Sequence, residues 1–306
     1  MPAADASADP VARIDGRLVK LSNLDKVLYP GNGFTKAEVL DYYARISPVL
    51  LPHLANRPLT RKRWVHGTAG PSFFEKNTPK GAPSWVRTVT LPVPGSTKNR
   101  DEIDFVIADE TATLAWLANL AALELHVPQW QVDSDGNAQP PDLLVLDLDP
   151  GEPATVVECC RVALAARDIV EDDIGPLFAK VSGSKGMQLY ARWPGDAAEP
   201  DDSAAYAHAL AERLEKQLSD LVVSRMTKTL RPGKVLVDWS QNNPAKTTIA
   251  PYSLRGRELP TVSAPISWDE VASCADPADL VFLPSDVLSR VAQDGDLFGA
   301  LLGSNR

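Results

Sequence analysis

The stretch that decides the fold is Leu143-Leu144-Val145-Leu146-Asp147-Leu148-Asp149-Pro150, an apolar run that ends in two aspartates. Prolines bracket it on both sides, and a short apolar run between turn-forming residues predicts a buried strand. Because strand side chains alternate between faces, Asp147 and Asp149 are expected on the same face. Neighbouring carboxylates repel each other, so the pair must sit in water, share a proton or hold a cation. The D-x-D spacing by itself leaves a solvated turn and a metal site equally open, although a hard cation such as Mg²⁺ prefers such oxygen ligands.

Length and composition are typical of a globular protein with one large domain or two smaller ones. The chain has 306 residues, of which 44% are apolar, and no apolar run approaches the roughly 18 residues of a membrane-spanning helix. The N-terminal residues are small and acidic and lack the basic and apolar regions of a signal peptide. We therefore expect a cytoplasmic protein with a flexible N-terminal tail over residues 1–16.

The distribution of charge indicates an anionic partner, although the net charge is −9. Residues 57–100 contain nine Lys/Arg and one acid, and residues 224–257 contain seven Lys/Arg and one acid. These two segments together carry +14, so the rest of the chain carries −23. Such asymmetry predicts a local cationic surface on an acidic protein. Aromatic residues and prolines lie between the cations, which disfavours chance clustering of solvated lysines.

Periodicity predicts interspersed helices and strands around the central strand. Helices are predicted for residues 36–51 with Thr35 as N-cap, 111–125 with His126 at its end, 153–170, 202–219, and from near Ser267 and Ser285. Strands or extended stretches are predicted for 57–64, 178–190 around a turn, 235–239 and 247–257, with a polar basic loop at 94–100. In the first of these strands, alternation places Arg61 and Arg63 on one face and Lys62 on the other.

Two further stretches carry groups that suit a nucleotide or a nucleic acid. One is Ser182-Gly183-Ser184-Lys185-Gly186, where glycine lets backbone N–H groups turn toward one point and the side chains add further donors. This turn is either a phosphate cradle or an ordinary hairpin. The other contains Phe73, Phe74 and Trp85 among cations, and these rings either stack on bases or belong to the core.

The ordered motifs together resemble the archaeo-eukaryotic primase superfamily and, more closely, the polymerase domain of bacterial ligase D. The matching stretches lie within about residues 17 to 295 and are Glu124-Leu125-His126, Asp147 to Pro150, Ser182 to Gly186, Arg231 to Trp239, Ala250 to Arg255, and Arg57 through Lys76. The resemblance implies an α+β fold, in which a catalytic core of mixed or antiparallel β-sheet is flanked by helices and packed against an N-terminal α/β portion. It also implies one primase-polymerase catalytic domain over residues 17–300, made of two packed subdomains.

The resemblance implies roles for particular residues of these stretches. Catalytic Asp147, Asp149 and Asp238 would hold two divalent ions, Mn²⁺ or Mg²⁺, which activate the primer 3′-hydroxyl and offset the charge of the leaving pyrophosphate. The incoming nucleoside triphosphate, NTP or dNTP, would contact Lys62, His126, Ser182, Lys185, Arg231 and Arg255. DNA would contact Lys26 and Lys36, which form a pocket for a 5′-phosphate, and Arg63, Phe73 and Phe74 near the templating base.

One position departs from the family pattern. In much of the family the second motif ends in histidine, whereas this chain has Gln188, which can donate a hydrogen bond but cannot carry a charge. The chain has no ligase or nuclease motif, so it is either an excised domain or a stand-alone polymerase. We expect a stand-alone polymerase, which works in the bacterial nucleoid beside a separate DNA ligase and a Ku end-binding protein.

We therefore predict a template-dependent, primer-extending nucleotidyltransferase that acts at short gaps or broken DNA ends in repair and can use or prefer ribonucleotides. Two alternatives stay open. A haloacid-dehalogenase-type phosphatase also has an apolar strand ending in D-x-D, with the first aspartate as nucleophile, but residue 151 would then normally be Thr or Val and is Gly. A non-catalytic nucleic-acid-binding module fits the charges, but it leaves three strand-borne carboxylates, which repel phosphate, unexplained.

Overall fold

The computed structural model describes residues 10–93, 101–194 and 202–303, which form an α+β fold. The predicted basic loop at 94–100 and the first nine residues of the predicted tail lie outside these ranges. No helix in the described ranges is both long enough and apolar enough to cross a membrane.

The helices and strands have the following bounds. The strands are β1 Val11–Ile14, β2 Arg17–Lys20, β3 Val27–Tyr29, β4 Phe34–Thr35, β5 Thr60–Arg63, β6 Phe73–Glu75, β7 Thr88–Pro92, β8 Glu102–Val106, β9 Ala122–Val127, β10 Trp130–Val132, β11 Ala138–Pro141, β12 Leu143–Pro150, β13 Leu177–Val181, β14 Met187–Arg192, β15 Val222–Val223, β16 Val235–Asp238, β17 Thr248–Ile249 and β18 Pro265–Ile266. The α-helices are α1 Lys36–Leu54, α2 Thr111–Asn119, α3 Val156–Asp173, α4 Asp202–Gln217, α5 Trp268–Ser273 and α6 Pro284–Asp294.

Strand β12 occupies the middle of a mixed sheet with the order β15-β16-β12-β14-β13-β18. Its neighbours β14 and β16 both run antiparallel to it, and the β15–β16 pair is parallel. Alternation along β12 buries Leu144, Leu146 and Leu148 in one core cluster that also contains residues of α3. The opposite face carries Val145, Asp147 and Asp149, so burying the leucines turns both aspartates away from that core.

A second sheet has the order β17-β9-β5-β6 and is antiparallel throughout. Helices α1 and α2 pack against each other, and their buried side chains join residues of both sheets in one hydrophobic cluster. Strand β17 pairs with β9 at Thr248 and Ile249. This pairing brings the chain that follows β16 to the strand carrying His126.

Several predicted elements are confirmed. The central strand spans Leu143–Pro150 as predicted, and the two β runs around residues 182–186 form the β13–β14 hairpin. Thr35 caps α1 through a capping box with Glu38, because each side chain receives a hydrogen bond from the other residue's backbone. Ser267 caps α5 in the same way.

The helix predicted for residues 111–125 is wrong in its second half. Helix α2 ends at Asn119, and Ala122–Val127 is the fully buried strand β9. The chain turns at Ala121, whose φ of 56° lies in the left-handed region. An apolar run buried on every side has no distinctive period, so local sequence cannot separate helix from strand there.

The predicted tail over residues 1–16 is too long at its C-terminal end. Residues Val11–Ile14 form β1, which pairs antiparallel with β2 from Val11 opposite Lys20 to Ile14 opposite Arg17. The turn uses Asp15 and Gly16, both at positive φ, which is the usual geometry of a tight hairpin.

Candidate active site

The acidic cluster forms where β12 and β16 lie side by side. Asp147 and Asp238 are directly opposite each other in the antiparallel pairing, and Asp149 is on the same face of β12 as Asp147. One carboxylate oxygen from each of the three aspartates lies within 4.8 Å of the others. The fold therefore brings together carboxylates that are up to 91 positions apart in the sequence, from Asp147 to Asp238.

Burial and mutual repulsion make this cluster unfavourable for three negative charges. Burial, and then the charges of Asp149 and Asp238, raise the pKa of Asp147 to about 7, against an opposing hydrogen bond from Gln188. Burial and Asp238 also raise the pKa of Asp149, while Arg231 opposes that shift. A divalent cation would remove this repulsion, since carboxylate oxygens are the ligands that Mg²⁺ and Mn²⁺ prefer. The residues therefore fit a divalent metal site.

Both oxygens of Asp238 are held by the short 3-10 helix Trp239–Asn242 that follows it. The backbone N–H and the hydroxyl of Ser240 donate to Oδ1 at 2.9 and 2.6 Å, and Gln241 Nε2 donates to Oδ2 at 3.0 Å. The Lys246 ammonium contacts the Ser240 hydroxyl in turn. No sequence motif gave these three residues a role, although an aspartate that begins a helical turn is a recognised cap.

The turn at residues 182–186 packs directly against the acidic strand. A Cβ at Gly186 would lie 2.0 Å from the carbonyl oxygen of Leu148, so only glycine permits this approach. The Ser182 hydroxyl oxygen accepts the backbone N–H groups of Ser184 and Gly186, both at 3.3 Å. These N–H groups therefore converge on a serine side chain, whose own proton stays available for an acceptor such as a phosphate oxygen.

Two cations stand at the rim of this turn. Lys185 Nζ pairs with Glu152 Oε1 at 2.7 Å, with both side chains mostly exposed, and such pairs are readily exchanged for another partner. Arg257 Nη2 contacts the Ser184 hydroxyl. The turn is therefore a hairpin and also carries cations beside the acidic cluster.

Glu124 is a residue to which sequence analysis assigned no role, and it joins His126 to Arg255. Its Oε2 lies 2.9 Å from His126 Nε2, and its Oε1 lies 3.5 Å from Arg255 Nε and accepts the Gly256 N–H at 3.0 Å. Burial alone would raise the pKa of Glu124, but the His126 hydrogen bond and the Arg255 charge lower it to about 2. Alternation in Glu124-Leu125-His126 is the signal that places both side chains on one face.

A cleft of about 440 Å³ gathers most of the predicted nucleotide contacts. The predicted residues that line it are His126, Asp147, Asp149, Ser182, Lys185, Arg231 and Arg255. Polar residues without a predicted role that also line it are Ser184, Gln188, Gln241, Thr247, Thr248 and Arg257. The predicted residues outside this lining are Lys26, Lys36, Lys62, Arg63, Phe73, Phe74 and Asp238. Asp238 borders the cleft through its hydrogen-bond partner Gln241, which lines it.

The basic and aromatic strands β5 and β6 lie next to this cleft. Phe73 and Phe74 are 46% and 55% exposed, so they are not core residues, and the Phe74 ring lies 5.6 Å from that of His126. Lys62 Nζ lies 5.2 Å from the Phe74 ring centre. Arg63 instead donates to Glu75 at 3.1 Å and to the Leu120 carbonyl, so its guanidinium is engaged within the protein.

Arg61 also pairs with Glu75, which confirms that Arg61 and Arg63 share one face of β5 while Lys62 takes the other. Trp85, which the sequence left open between base stacking and the core, packs against the hydrophobic core instead. The exposed aromatic surface is thus formed by β6 and not by Trp85.

Lys26 and Lys36 lie next to each other at the start of α1. The Lys36 N–H donates to the Lys26 carbonyl at 2.8 Å. Lys26 Nζ donates to the Val65 carbonyl at 2.6 Å, and Lys36 Nζ donates to the Ser22 carbonyl at the same distance. Lys36 is only 5% exposed, so Lys26 is the more accessible of the two ammonium groups.

The fold and site define a protein with an acidic cluster, which could hold a divalent cation, beside a cationic cleft. Residues 35–298 match the family described as "LigD, primase-polymerase domain". The chain therefore belongs to the LigD primase-polymerase domain family.

Similar proteins agree with this assignment. The "Multifunctional non-homologous end joining protein LigD" of Mycolicibacterium smegmatis is 46% identical over 286 residues, which is 92% of this chain and 36% of that protein. The "Bifunctional non-homologous end joining protein LigD" of Bacillus subtilis is 32% identical over 90% of this chain and 43% of that protein. The chain thus spans less than half the length of these relatives.

A solved structure agrees over the whole domain. The polymerase domain of Mycobacterium tuberculosis ligase D, determined in complex with DNA, is 44% identical. It aligns with a TM-score of 0.87 over 94% of this chain and 99% of that one. The α+β fold predicted from the motifs is confirmed.

Proposed function

We propose that this chain is a template-dependent nucleotidyltransferase that extends primers at short gaps or broken ends of DNA. The observation that carries the proposal is the cluster of Asp147, Asp149 and Asp238 facing a cleft lined by cations. Carboxylates alone would repel a triphosphate, so the combination suits an anionic substrate that arrives with divalent metal. The family and the DNA complex of the solved relative support this choice.

The three aspartates would hold Mn²⁺ or Mg²⁺. When bound, two such ions activate an attacking hydroxyl and offset charge on the leaving group. Ser240 donates two hydrogen bonds to Oδ1 of Asp238 and Gln241 donates one to Oδ2, which orients that carboxylate before any cation arrives. Such outer contacts commonly matter for a metal site nearly as much as the ligands do.

The triphosphate would lie along the cationic wall of the cleft. Ser182 and Lys185 offer a hydroxyl proton and an ammonium group, and Arg231 and Arg255 offer guanidinium forks that match phosphate oxygens. His126 and Lys62 stand at the side of Phe74. In this arrangement the base of the nucleotide or of the template would stack on the exposed ring surface of Phe73 and Phe74.

Lys26 and Lys36 are the proposed contacts to a 5′-phosphate on the far side of a gap. Their neighbouring positions at the start of α1 support this role. A helix start also favours negative charge. Arg63 would contribute to DNA binding by holding β6 through Glu75.

Repair of broken ends is the proposed setting, since the full-length relatives are named as non-homologous end joining proteins. In this proposal a ligase activity seals the product, and a Ku-type end-binding protein recruits the polymerase to chromosomal DNA. Ribonucleotides would be accepted as well as deoxyribonucleotides.

Two other functions are disfavoured by the same cluster. A phosphatase with Asp147 as nucleophile does not require a third carboxylate directly opposite it, as Asp238 is. A purely DNA-binding module does not require three clustered aspartates beside a cationic cleft, where burial and neighbouring carboxylates raise the pKa of Asp147 and Asp149. Neither a phosphatase nor a DNA-binding module would show metal-dependent nucleotide incorporation.

The decisive experiment measures single-nucleotide incorporation on a duplex with a one-nucleotide gap, with and without a 5′-phosphate, using each NTP and dNTP with Mn²⁺. We expect Asp238→Ala to abolish extension while DNA affinity stays within about three-fold of wild type, since catalysis here depends on positioning and charge. Asp168→Asn, which removes an exposed carboxylate on α3, serves as the charge-matched control. Wild-type rates in Asp238→Ala would refute the metal assignment.

The same assay tests the proposed 5′-phosphate pocket. Wild type should extend the 5′-phosphorylated gap faster, and Lys26→Ala/Lys36→Ala should lose that preference while keeping its rate on the unphosphorylated gap. If the wild type extended both gaps at the same rate, the gap-directed role would be rejected, whereas the proposed polymerase activity would not be.

A further inference from the structure

A row of four polar side chains crosses the mixed sheet at the acidic cluster. In the strand register, Asp238 is opposite Asp147, Asp147 is opposite Gln188, and Gln188 is opposite Lys180. Directly paired residues project to the same face of a sheet. Lys180, on β13, is therefore two strands away from the proposed metal ligand Asp147, with Gln188 between them.

Lys180 is fully buried, which is rare for lysine. Burying an ammonium group is costly, and burial lowers the pKa of Lys180 well below its usual value. A methionine would fill the same space without that cost. The residue is thus poorly explained as part of the core.

Lys180 is the donor in both of its hydrogen bonds. The single proton of Ser263 Oγ is donated to the Val181 carbonyl at 3.1 Å, so Ser263 must accept from Lys180 Nζ, which lies 2.6 Å away. Lys180 Nζ donates its next proton to Gln188 Oε1 at 2.7 Å. An amine has two N–H donors even when neutral, so both bonds hold in either protonation state.

These bonds fix which way the Gln188 amide faces. Its carbonyl oxygen points to Lys180 and also accepts the Tyr190 hydroxyl at 3.3 Å. Its NH₂ group must then point the other way along the row, toward Asp147, the residue opposite Gln188 in the register. Gln188 lowers the pKa of the Asp147 carboxylate, as a donor facing it would. A glutamine without this anchor could turn its oxygen toward Asp147 and repel it.

We propose that Lys180 is a positioning residue for the metal ligand Asp147 and that it acts through the amide of Gln188. Lys180 holds the Gln188 carbonyl, so the Gln188 NH₂ group holds one carboxylate oxygen of Asp147 and leaves the other facing Asp149 and Asp238. The proposal rests on the metal site of the proposed function. It also gives a role to Gln188, the position at which the resemblance predicts a histidine.

The test measures Mn²⁺ binding to the protein alone, by the loss of the free-ion signal in electron paramagnetic resonance. We expect Lys180→Met and Gln188→Met each to raise the Mn²⁺ dissociation constant by about 10- to 100-fold, which is typical for loss of an outer contact to a metal ligand. The double variant should bind no worse than Gln188→Met, because the two residues act in series. Nucleotide incorporation should need correspondingly more Mn²⁺.

Matched variants separate this role from simple packing. Ser263→Ala removes the other partner of Lys180 and should leave Mn²⁺ affinity unchanged, and thermal unfolding in the presence of a chelator checks that every variant folds. Gln188→Met tests the same link without altering the buried lysine. Unchanged Mn²⁺ affinity in Lys180→Met, or losses that add up in the double variant, would overturn the proposal. Wild-type Mn²⁺ affinity in Asp147→Ala would instead refute the metal site itself.

Discussion

Glu124 arranges two groups of the cleft at once. It is almost completely buried and contacts both His126 and Arg255. The low pKa of Glu124, about 2, means that it stays charged under all working conditions. Its contribution to stability is therefore present above the ordinary glutamate pKa of 4.5 and is lost only as the pH falls toward 2.

Glu124→Gln should weaken nucleotide binding. The neutral amide cannot hold Arg255 and His126 as firmly, and hydrogen bonds to charged groups contribute about 1.5–3 kcal/mol, so we expect KM for the nucleotide to rise about 10- to 100-fold. Steady-state incorporation on a gapped duplex measures this change. Glu152→Gln is the matched control, because its partner Lys185 is exposed, and KM should change by less than about two-fold. Equal effects in the two variants would contradict the role of Glu124.

Metal affinity should depend on pH near neutrality. The raised pKa of Asp147, about 7, means that protons compete with the cation for this carboxylate below pH 7. Mn²⁺ affinity should therefore fall as the pH drops through 7, by about 10-fold per unit for one displaced proton. Titration calorimetry in buffers of different ionisation enthalpy would detect the released proton. A constant affinity between pH 5.5 and 7.5 would show that Asp147 is already fully ionised.

Helix α1 begins where the proposed 5′-phosphate contacts lie. Thr35 is its N-cap, and Lys36 is its first residue. The cap therefore defines both the start of the helix and the backbone position of Lys36. A change at Thr35 should affect stability and recognition together.

Thr35→Ala should lower the free energy of unfolding by about 1 kcal/mol, the usual cost of losing such a cap. It should also reduce the preference for a 5′-phosphorylated gap. Ser267→Ala removes an equivalent capping box from α5 and should cost similar stability without changing that preference. Denaturant unfolding and the gap assay measure the two effects. If Thr35→Ala kept the full preference for a 5′-phosphorylated gap, the cap would play no part in 5′-phosphate recognition.

Strand pairing explains why β9 could not be recognised locally. Residues of β9 pair with β5 on one edge and β17 on the other, and every side chain of the strand is buried. Neither partner strand is close in sequence. The helical pattern of residues 111–119 therefore runs on without a local signal that it ends.

Positive charge is concentrated in two segments of the chain, and the rest of the chain is acidic. These two basic segments carry +14 on a chain of net charge −9. Residues of the second segment line the cleft, and Lys62 of the first lies beside Phe74 next to His126. Cations from both segments thus lie near the same acidic cluster. These cations concentrate polyanions there, while the acidic rest of the surface repels them.

DNA binding should accordingly be strongly dependent on salt. The logarithm of the association constant should fall linearly with that of salt concentration, and Lys62→Ala should reduce the slope by about 0.9 if Lys62 neutralises one duplex phosphate. Fluorescence anisotropy with gapped DNA from 50 to 300 mM NaCl, a range of about six-fold chosen to resolve that slope, measures it. Lys216→Ala, outside both basic segments, should leave the slope unchanged. A salt-independent affinity would argue against a phosphate-directed interface.

Local patterns in the sequence determined the central strand, the hairpin at residues 182–186, the cap Thr35 and the helix start near Ser267, because alternation, glycine and capping residues act over a few neighbouring positions. They also determined that Asp147 and Asp149 share a face. Only the tertiary structure decided that Asp238 lies opposite Asp147 and that Lys180 is buried behind Gln188. Those contacts depend on which strands pair and in what register, and pairing between distant segments is a property of the whole core.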